Sequence, residues 1–491
     1  MPDWREQLKQ VKRDLGGQQP GPQGAGRAAA ADGGHEQVRP RHYVCIGLDF
    51  GTSSTKAVVQ VANGAAFAVP LSAADGEIEP YLGPTRLWVA RTGATAMAES
   101  GAGAWVSALK VSLMHAPWDR VPVVEDFPIE ARPVDLGAAY VAHVLRRIRS
   151  WFEREVRPQL GNAEIAWLMN MGIPARDYAA KDIHDAFLAV ARAGWQLAAA
   201  SGGLDVERAR QEVDASRSPA YVPTGMDDAD FLCVQPEVAA GVTTYVRSPQ
   251  RVGGPHLFAD VGATTLDTSI FLLGQPTAEQ AAGDLKYVFL DASVDAELGA
   301  LRLHRYRAHE LGRLALERFA ASDPLKPIPE TARKCVPADA DIDRIDTRFA
   351  DRCAVEVGGV ISRARRKLNE GDNELSVPDR GPPGSIQVLL SGGGIELPFY
   401  KDVVAEAGRR AAPGGRQGLR IRPFRIEAIP RPGNLQAPGL TDRGWRRLAV
   451  AYGLSFPYWD IGRFVPSSEV LPPPPPQRRE YADAFISGDL V

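Results

Sequence analysis

Apolar runs broken by a polar, glycine-containing turn occur at two distant places in the chain, and the two places match. Near the N-terminal end, 43–48 is apolar, Asp49-Phe50-Gly51-Thr52-Ser53-Ser54-Thr55 is a largely polar turn, and 56–61 is a second strand-like run. Near the middle, 256–259 leads through Asp260-Val261-Gly262-Ala263-Thr264-Thr265 into 266–272. Between and after these hairpins the period changes. Leu136, Tyr140, Val144, Leu145, Ile148 and Phe152 fall at helical spacing, which predicts a helix over 135–160. Strands are expected at 165–169, 231–234 and 386–390, and helices at 178–200, 295–320, 347–369 and 441–455. Glu237 is expected to open an alanine-rich helix. The recurring Asp-x-Gly turn has no short repeat period, so it points to a duplicated α/β unit and not a solenoid.

The ends read differently. Trp4, Leu8, Val11 and Leu15 form an apolar stripe on a helix over 1–15. A helix this short is marginal alone, so it is expected to dock on this protein or on a partner. Residues 16–42 are rich in Gly, Ala, Gln and Pro and predict a flexible linker. Pro472 to Pro476 predict an extended polyproline spacer or docking site in a tail over 457–491.

Composition narrows the classes. The chain has 491 residues, 44% apolar and 24% charged, enough for a large two-lobed unit. Its 57 basic and 60 acidic residues leave a net charge of -3, with no sign of a nucleic-acid surface. Four cysteines are too scattered for a disulfide framework, and eight histidines form no zinc motif. No run is apolar and long enough to span a membrane, and the first residues do not resemble a secretory signal. The expected setting is cytoplasmic, without nucleic-acid or membrane partners.

Chemistry concentrates in the turns. Gly51 permits close backbone approach, and Thr52, Ser53 and Ser54 offer hydroxyls and N–H donors that can cradle phosphate oxygens. Asp49 at the strand end could hold magnesium through its waters. The second turn repeats this logic with Asp260, Gly262, Thr264, Thr265 and the nearby Asp267. Two such turns facing each other would clamp a triphosphate, with magnesium offsetting its charge. After the strand at 386–390, Gly392, Gly393 and Gly394 remove side chains that would block a flat base or ribose. Plain structural roles also exist: Asp49 or Asp260 as a turn cap, and Glu237 as an acid at a helix N-terminus.

Five stretches, in order, resemble the actin, sugar-kinase and heat-shock ATPase superfamily. GLDFGTSSTKAVV resembles its first phosphate motif, FADVGATTLDTSIF its second, and VLLSGGGIELPFYKDVV its adenosine motif. VQPEVAAGVTTY and LAVAYGLSF resemble its two connecting helices. MGIPARDYAAKDIHDAFLAVARAGWQLA and the Pro236-Glu237 pair favour the DnaK-type chaperone branch, and WVSALKVSLM resembles the segment carrying that branch's catalytic lysine, here Lys110.

The resemblance, over about 43–456, implies an α/β, two-lobed, actin-like ATPase fold with duplicated ribonuclease-H-like domains and a central nucleotide cleft. Lobe I would cover 43–250 and lobe II 251–440, and a connecting helix over 441–456 would return to lobe I. The lobes would hinge near Gly241 and Gly453.

The resemblance further implies ATP and Mg2+ as ligands. Asp49 and Asp260 would order the metal. Gly51, Thr52, Ser53, Ser54, Gly262, Ala263 and Thr264 would hold phosphates, supported by Thr265 and Asp267. Glu237 would position the attacking water and Lys110 would assist catalysis. Gly392, Gly393 and Gly394 would face the nucleoside. The second turn departs from the family's three glycines, Glu396 stands where the adenosine motif usually has arginine, and no adenine-stacking lysine–arginine segment is found. No β-rich peptide-binding domain is expected in the stretch after the last connecting helix. The expected function is a slow ATPase that switches a protein partner through the N-terminal helix or the proline tail. A carbohydrate-type kinase and an actin-like filament protein are the alternatives.

Overall fold

The computed structural model describes residues 40–62, 64–73, 78–123, 129–273, 286–295, 297–310, 342–369, 386–410, 425–427 and 429–465. The helix expected over 1–15, the linker as far as residue 39, the second half of the helix expected over 295–320 and the prolines 472–476 lie outside the described residues.

Ten strands form the body of two sheets of mixed α/β architecture among the described residues. They are β1 (Arg41–Phe50), β2 (Ser54–Val61), β3 (Ala66–Ala68), β4 (Glu164–Ile173), β5 (Leu232–Pro236), β6 (Gly254–Val261), β7 (Leu266–Leu273), β8 (Lys286–Asp295), β9 (Gln387–Ser391) and β10 (Arg425–Glu427). The first sheet runs β5-β4-β1-β2-β3 and the second β10-β9-β6-β7-β8. In each, the first three strands are antiparallel neighbours, and the fourth and fifth add in parallel on the other side. Strand for strand, the second sheet repeats the order of the first. The repeat of polar turns therefore coincides with a repeat of topology.

Ten helices matter to the site. They are α1 (Leu109–His115), α2 (Pro133–Glu155), α3 (Lys181–Ala199), α4 (Val206–Ser216), α5 (Glu237–Gly241), α6 (Thr243–Val246), α7 (Ala300–Glu310), α8 (Ile342–Asn369), α9 (Pro398–Arg410) and α10 (Ala449–Leu454). Parallel strands need a crossover, and α2 and α3 supply it in the first sheet as α8 and α9 do in the second. Helix α2 starts where the sequence allows: Pro133 takes its first turn, and Asp135 accepts a hydrogen bond from the Arg132 N–H at 3.0 Å. It stops before Pro158, which carries no N–H to continue the ladder.

Several expectations are corrected. The strand begins at Arg41, so the last residues of the expected linker belong to β1. Residues 286–295 are strand, and the helix expected from 295 starts at Ala300. The helix opened by Glu237 ends at Gly241 and resumes as α6. The helix expected over 441–455 is two pieces, Asp442–Trp445 and α10. Gly444 is a poor helix residue, and the chain there tightens into bonds from Arg447 N–H to Gly444 O and from Leu448 N–H to Trp445 O.

Packing follows the layers. Helices α2 and α3 cover the first sheet through Ile46, Leu48, Tyr140, Leu145, Phe187 and Trp195. Helices α8 and α9 cover the second through Leu257, Ile270, Phe349, Val357 and Tyr400. A third cluster joins Val58 of the first sheet to Phe258 and Phe271 of the second through Val238 and Tyr452 of the helices between them. Each fully buried aliphatic or aromatic side chain contributes about 1.5–3 kcal/mol. Short strands extend both sheets. Leu435–Gln436 pairs with β3, so the chain is back on the first sheet before residue 441, and Arg463–Val465 pairs with β8. No helix among the described residues is long and apolar enough to cross a membrane.

Candidate functional site

The first turn holds its own counter-ion. Antiparallel register places Asp49 directly opposite Lys56, and Lys56 Nζ lies 3.0 Å from Asp49 Oδ2. A Cβ on Gly51 would stand 2.4 Å from the Ser54 carbonyl oxygen, so only glycine fits the turn. Thr52 and Ser53 are partly exposed, whereas Ser54 is buried at the start of β2 beside Pro84.

The second turn is built from the same pattern to a different result. Register places Asp260 opposite Asp267, two carboxylates facing across one ladder. Gly262 N–H closes the turn onto Thr265 O at 2.9 Å. The start of α7 then docks on it: Gly299, Ala300 and Leu301 donate to the carbonyls of Thr264, Gly262 and Ala263 at 2.9, 3.0 and 2.7 Å. Asp260 Oδ1, Asp267 Oδ1 and the Thr264 hydroxyl oxygen are shielded from water and have no hydrogen-bond partner in the described structure. Burial, then the Glu237 and Asp49 carboxylates, push the Asp260 carboxyl up to about 7 against the pull of Lys56 and Lys110. Burial likewise raises Asp267 well above the ordinary carboxylate range.

Glu237 and Lys110 complete the group. Glu237 is 6% exposed at the start of α5, and Lys110 is 5% exposed on α1. Lys110 Nζ donates to Glu237 Oε1 at 2.6 Å. Burial raises the Glu237 carboxyl, with Lys110 pulling the other way. Burial alone would lower the Lys110 ammonium, but the carboxylates of Glu237, Asp49 and Asp267 outweigh it and hold the lysine charged. Helix α1 is entered through Ala108 at φ 56°, the one non-glycine residue with positive φ among the described residues. Glu237 itself lies over Gly172 of β4, where a Cβ would come within 2.8 Å of its Cγ.

One carboxylate oxygen each from Glu237, Asp260 and Asp267 lie within 4.8 Å of one another. Oxygen donors of this kind, two of the residues with an oxygen that has no partner, suit a hard divalent cation. Asp49 contributes charge nearby but spends its carboxylate on Lys56.

The glycine loop is close by for a reason the sequence did not suggest. Gly392 has φ 86°, and a Cβ there would lie 2.3 Å from Asp260 Oδ1 and 2.4 Å from the Val261 carbonyl oxygen. A Cβ on Gly394 would lie 2.2 Å from Val261 Cγ1. These two glycines let the loop pack on the end of β6. Gly393 instead lies against the Arg447 guanidinium.

Two residues escaped the sequence reading. Lys56 was visible only as a strand residue, and the hairpin register that aims it at Asp49 was the missing signal. Asp177 follows the Pro174 turn after β4, with its N–H on the Pro174 carbonyl at 3.0 Å. Its Oδ2 is shielded without a hydrogen-bond partner in the described structure. Burial raises its carboxyl, against Arg176, Lys110 and His115. A lone Asp after Pro-Ala-Arg carries no sequence signal of its own.

Between the sheets, α5 and α10 cross backbone to backbone. A Cβ on Gly453 would be 1.9 Å from the Ala240 carbonyl oxygen, and one on Gly241 would be 2.7 Å from Phe258 Cζ. Asn170 of β4 donates to the carbonyls of Leu454 and Phe456 at 2.8 and 2.7 Å, tying the end of α10 to the first sheet. Comparison with protein-family models finds no match to this chain, and comparison with curated proteins finds none.

Proposed function

We propose that this chain binds ATP with magnesium between its two sheets and hydrolyses it slowly, in a two-lobed actin-like architecture resembling the ATPase of DnaK-type chaperones. The observation that carries the reading is convergence. Asp49, Lys110, Glu237, Asp260 and Asp267 come from four distant segments, and each of the last four feels the charge of others in the group. Structural ion pairs alone rarely gather four carboxylates around two lysines in a shielded place.

Magnesium, when bound by Asp260, Asp267 and Glu237, would offset the triphosphate charge. The protein does the rest. The turn at Gly51, Thr52 and Ser53 offers partly exposed donors to phosphate oxygens, and the Thr264 hydroxyl offers another from the opposite side. Glu237 orients the attacking water, and Lys110 fixes where its carboxylate points. The crossing of α5 and α10 is the place where the lobes would hinge, and closing on ATP would alter the surface met by a protein partner.

The test is ATP binding and hydrolysis by the full chain with magnesium, beside Glu237→Ala and Asp260→Ala. The expected result is binding without turnover in Glu237→Ala and impaired binding in Asp260→Ala. A wild-type protein that binds no nucleotide sinks the reading. Asp177 favours one alternative, the small-molecule kinase, because a kinase needs a carboxylate to accept a hydroxyl proton. ATP consumption stimulated by a sugar, and lost in Asp177→Asn, would favour that reading over the switch.

A further inference from the structure

Lys110 fixes one oxygen of the Glu237 carboxylate, but a single ion pair leaves the stem of a glutamate free to change rotamer. Resting on the hydrolysis reading above, we infer that Asn170 is a positioning residue for Glu237. It caps the end of α10 and so holds Leu454 as the wall beside which the glutamate is set.

Strand period puts the parts on one face. Side chains two apart on a strand point the same way, so Cys45, Gly47 and Asp49 share one face of β1. Parallel register sets Gly47 beside Asn170, which puts Asn170 and Gly172 of β4 on that face too. Helix α10 lies on it at Gly47, where a Cβ would stand 2.1 Å from the Ala451 carbonyl oxygen and 2.4 Å from Ser455 N. Two residues beyond Asn170, a Cβ on Gly172 would be 2.8 Å from Glu237 Cγ and 3.2 Å from Leu454 Cδ1. The glutamate and the leucine therefore rest on the same glycine. Leu454 is fully buried and packs with Ala240, one turn along α5 from Glu237.

The hydrogen bonds say what keeps Leu454 there. Carbonyls at a helix C-terminus have no partner within the helix. The Asn170 amide donates to two of them, Leu454 O at 2.8 Å and Phe456 O at 2.7 Å. Only the NH2 end of an amide can meet two carbonyls, so chemistry fixes its orientation. The Cys45 thiol approaches the same oxygens at 3.7 and 3.4 Å, but a thiol is too weak a donor to replace the amide. Asn170 is 2% exposed, and losing either bond would strand a buried polar group.

The other tie of this helix end is different in kind. The Ser455 hydroxyl lies 2.9 Å from Gln60 Oε1 and 2.6 Å from the Tyr452 carbonyl oxygen. Without Gln60 it keeps a bond inside its own turn. The place of Leu454 thus depends on Asn170 and not on Gln60.

The experiment measures Mg·ATP affinity, and kcat per bound nucleotide, for the full chain as wild type, Asn170→Leu, Asn170→Ser, Gln60→Leu, Leu454→Ala and the double variant Asn170→Leu/Leu454→Ala. Asn170→Leu keeps the volume and removes the donors. It is expected to lower kcat about 10- to 100-fold, the scale of a catalytic group displaced by an ångström, with ATP affinity unchanged. Asn170→Ser keeps one donor and should retain more of kcat; it carries the test if the leucine variant does not fold. Gln60→Leu should keep wild-type kcat. Leu454→Ala should reproduce the loss, and the double variant should fall no further, because the two residues act in series. Affinity and kcat falling together in the Asn170 variants would make the amide merely structural and overturn the inference. An unchanged kcat, an equal loss in Gln60→Leu, or additive losses in the double variant would overturn it as well. A wild-type protein that binds no ATP, or binds it without turnover, instead overturns the reading of the site beneath, and this inference with it.

Discussion

The turn at Asp49 and the turn at Asp260 occupy the same position in two sheets of the same strand order, but they solve opposite electrostatic problems. In the first, the residue across the ladder is Lys56, and the carboxylate is neutralised where it stands. In the second, the residue across the ladder is Asp267, and both carboxylates keep an oxygen without a hydrogen-bond partner among the described residues. The α7 N-terminus docks on the second turn but donates to its carbonyls and not to its carboxylates. Topology was duplicated and charge was not. On the nucleotide-binding proposal this asymmetry has a use: one wall is paired within the protein, and the other would be completed by a bound cation.

The sharpest way to break the comparison is to remove the cation that serves the acidic side. Lys110→Met leaves Glu237 buried and unpaired, and unfolding by denaturant should show a loss of about 3–5 kcal/mol. Adding Glu237→Gln to that variant should return much of the loss. If the single variant is as stable as wild type, the Lys110–Glu237 pair does not hold the site together.

A second effect comes from the acidic half. His256 of β6 is fully buried, with Nδ1 2.9 Å from the Gly254 carbonyl oxygen and Nε2 3.2 Å from the Tyr245 hydroxyl. The Tyr245 oxygen in turn accepts from Val252 N–H at 3.1 Å. Every partner is satisfied when Nδ1 carries the proton and the ring is neutral, and burial lowers the imidazole to about 4. Between its ordinary value of about 6.5 and that lowered value, the unfolded chain binds the extra proton. Stability contributed by this residue is therefore full above pH 6.5 and lost as pH falls toward 4, by about 3 kcal/mol. The difference in denaturant midpoint between wild type and His256→Gln, followed across that range, checks the slope. Cys45, at the matching place in β1, cannot produce it.

The smallest effect is the most diagnostic. Without magnesium, Asp49→Asn should destabilise by about 1 kcal/mol by stranding Lys56, whereas Asp260→Asn should stabilise by about 1 kcal/mol by relieving the carboxylate pair. With magnesium, Asp260→Asn should lose the thermal shift that the ion gives wild type. Two variants moving the same way would mean that the turns are electrostatic equals after all.

Much of this was legible because it depends on local pattern. The two hairpins could be read from apolar runs around Asp-x-Gly, and α2 from Leu136, Tyr140, Leu145 and Phe152 on one face. What depends on register or on distant packing was not legible. Nothing near Lys56 says that it faces Asp49, and nothing near Asp177 says that it approaches Lys110. Nothing in the sequence signals that Gly392 and Gly394 pack against Asp260 and Val261 of β6, far away in the chain. Strand β8 failed for the opposite cause: Tyr287, Val288, Phe289 and Leu290 are all buried, so no alternation marks them as strand.

The short strand Arg463–Val465 has a mechanical consequence. Phe456 is held to the first sheet through Asn170, and Arg463 is zipped to β8 of the second. Only residues 457–462 join the two attachments, and seven residue steps reach at most about 25 Å when pulled straight. The covalent chain is thus a leash between the two halves. Gaping beyond its length requires peeling three residues from the edge of a sheet, so chain length sets the point at which those contacts begin to resist opening.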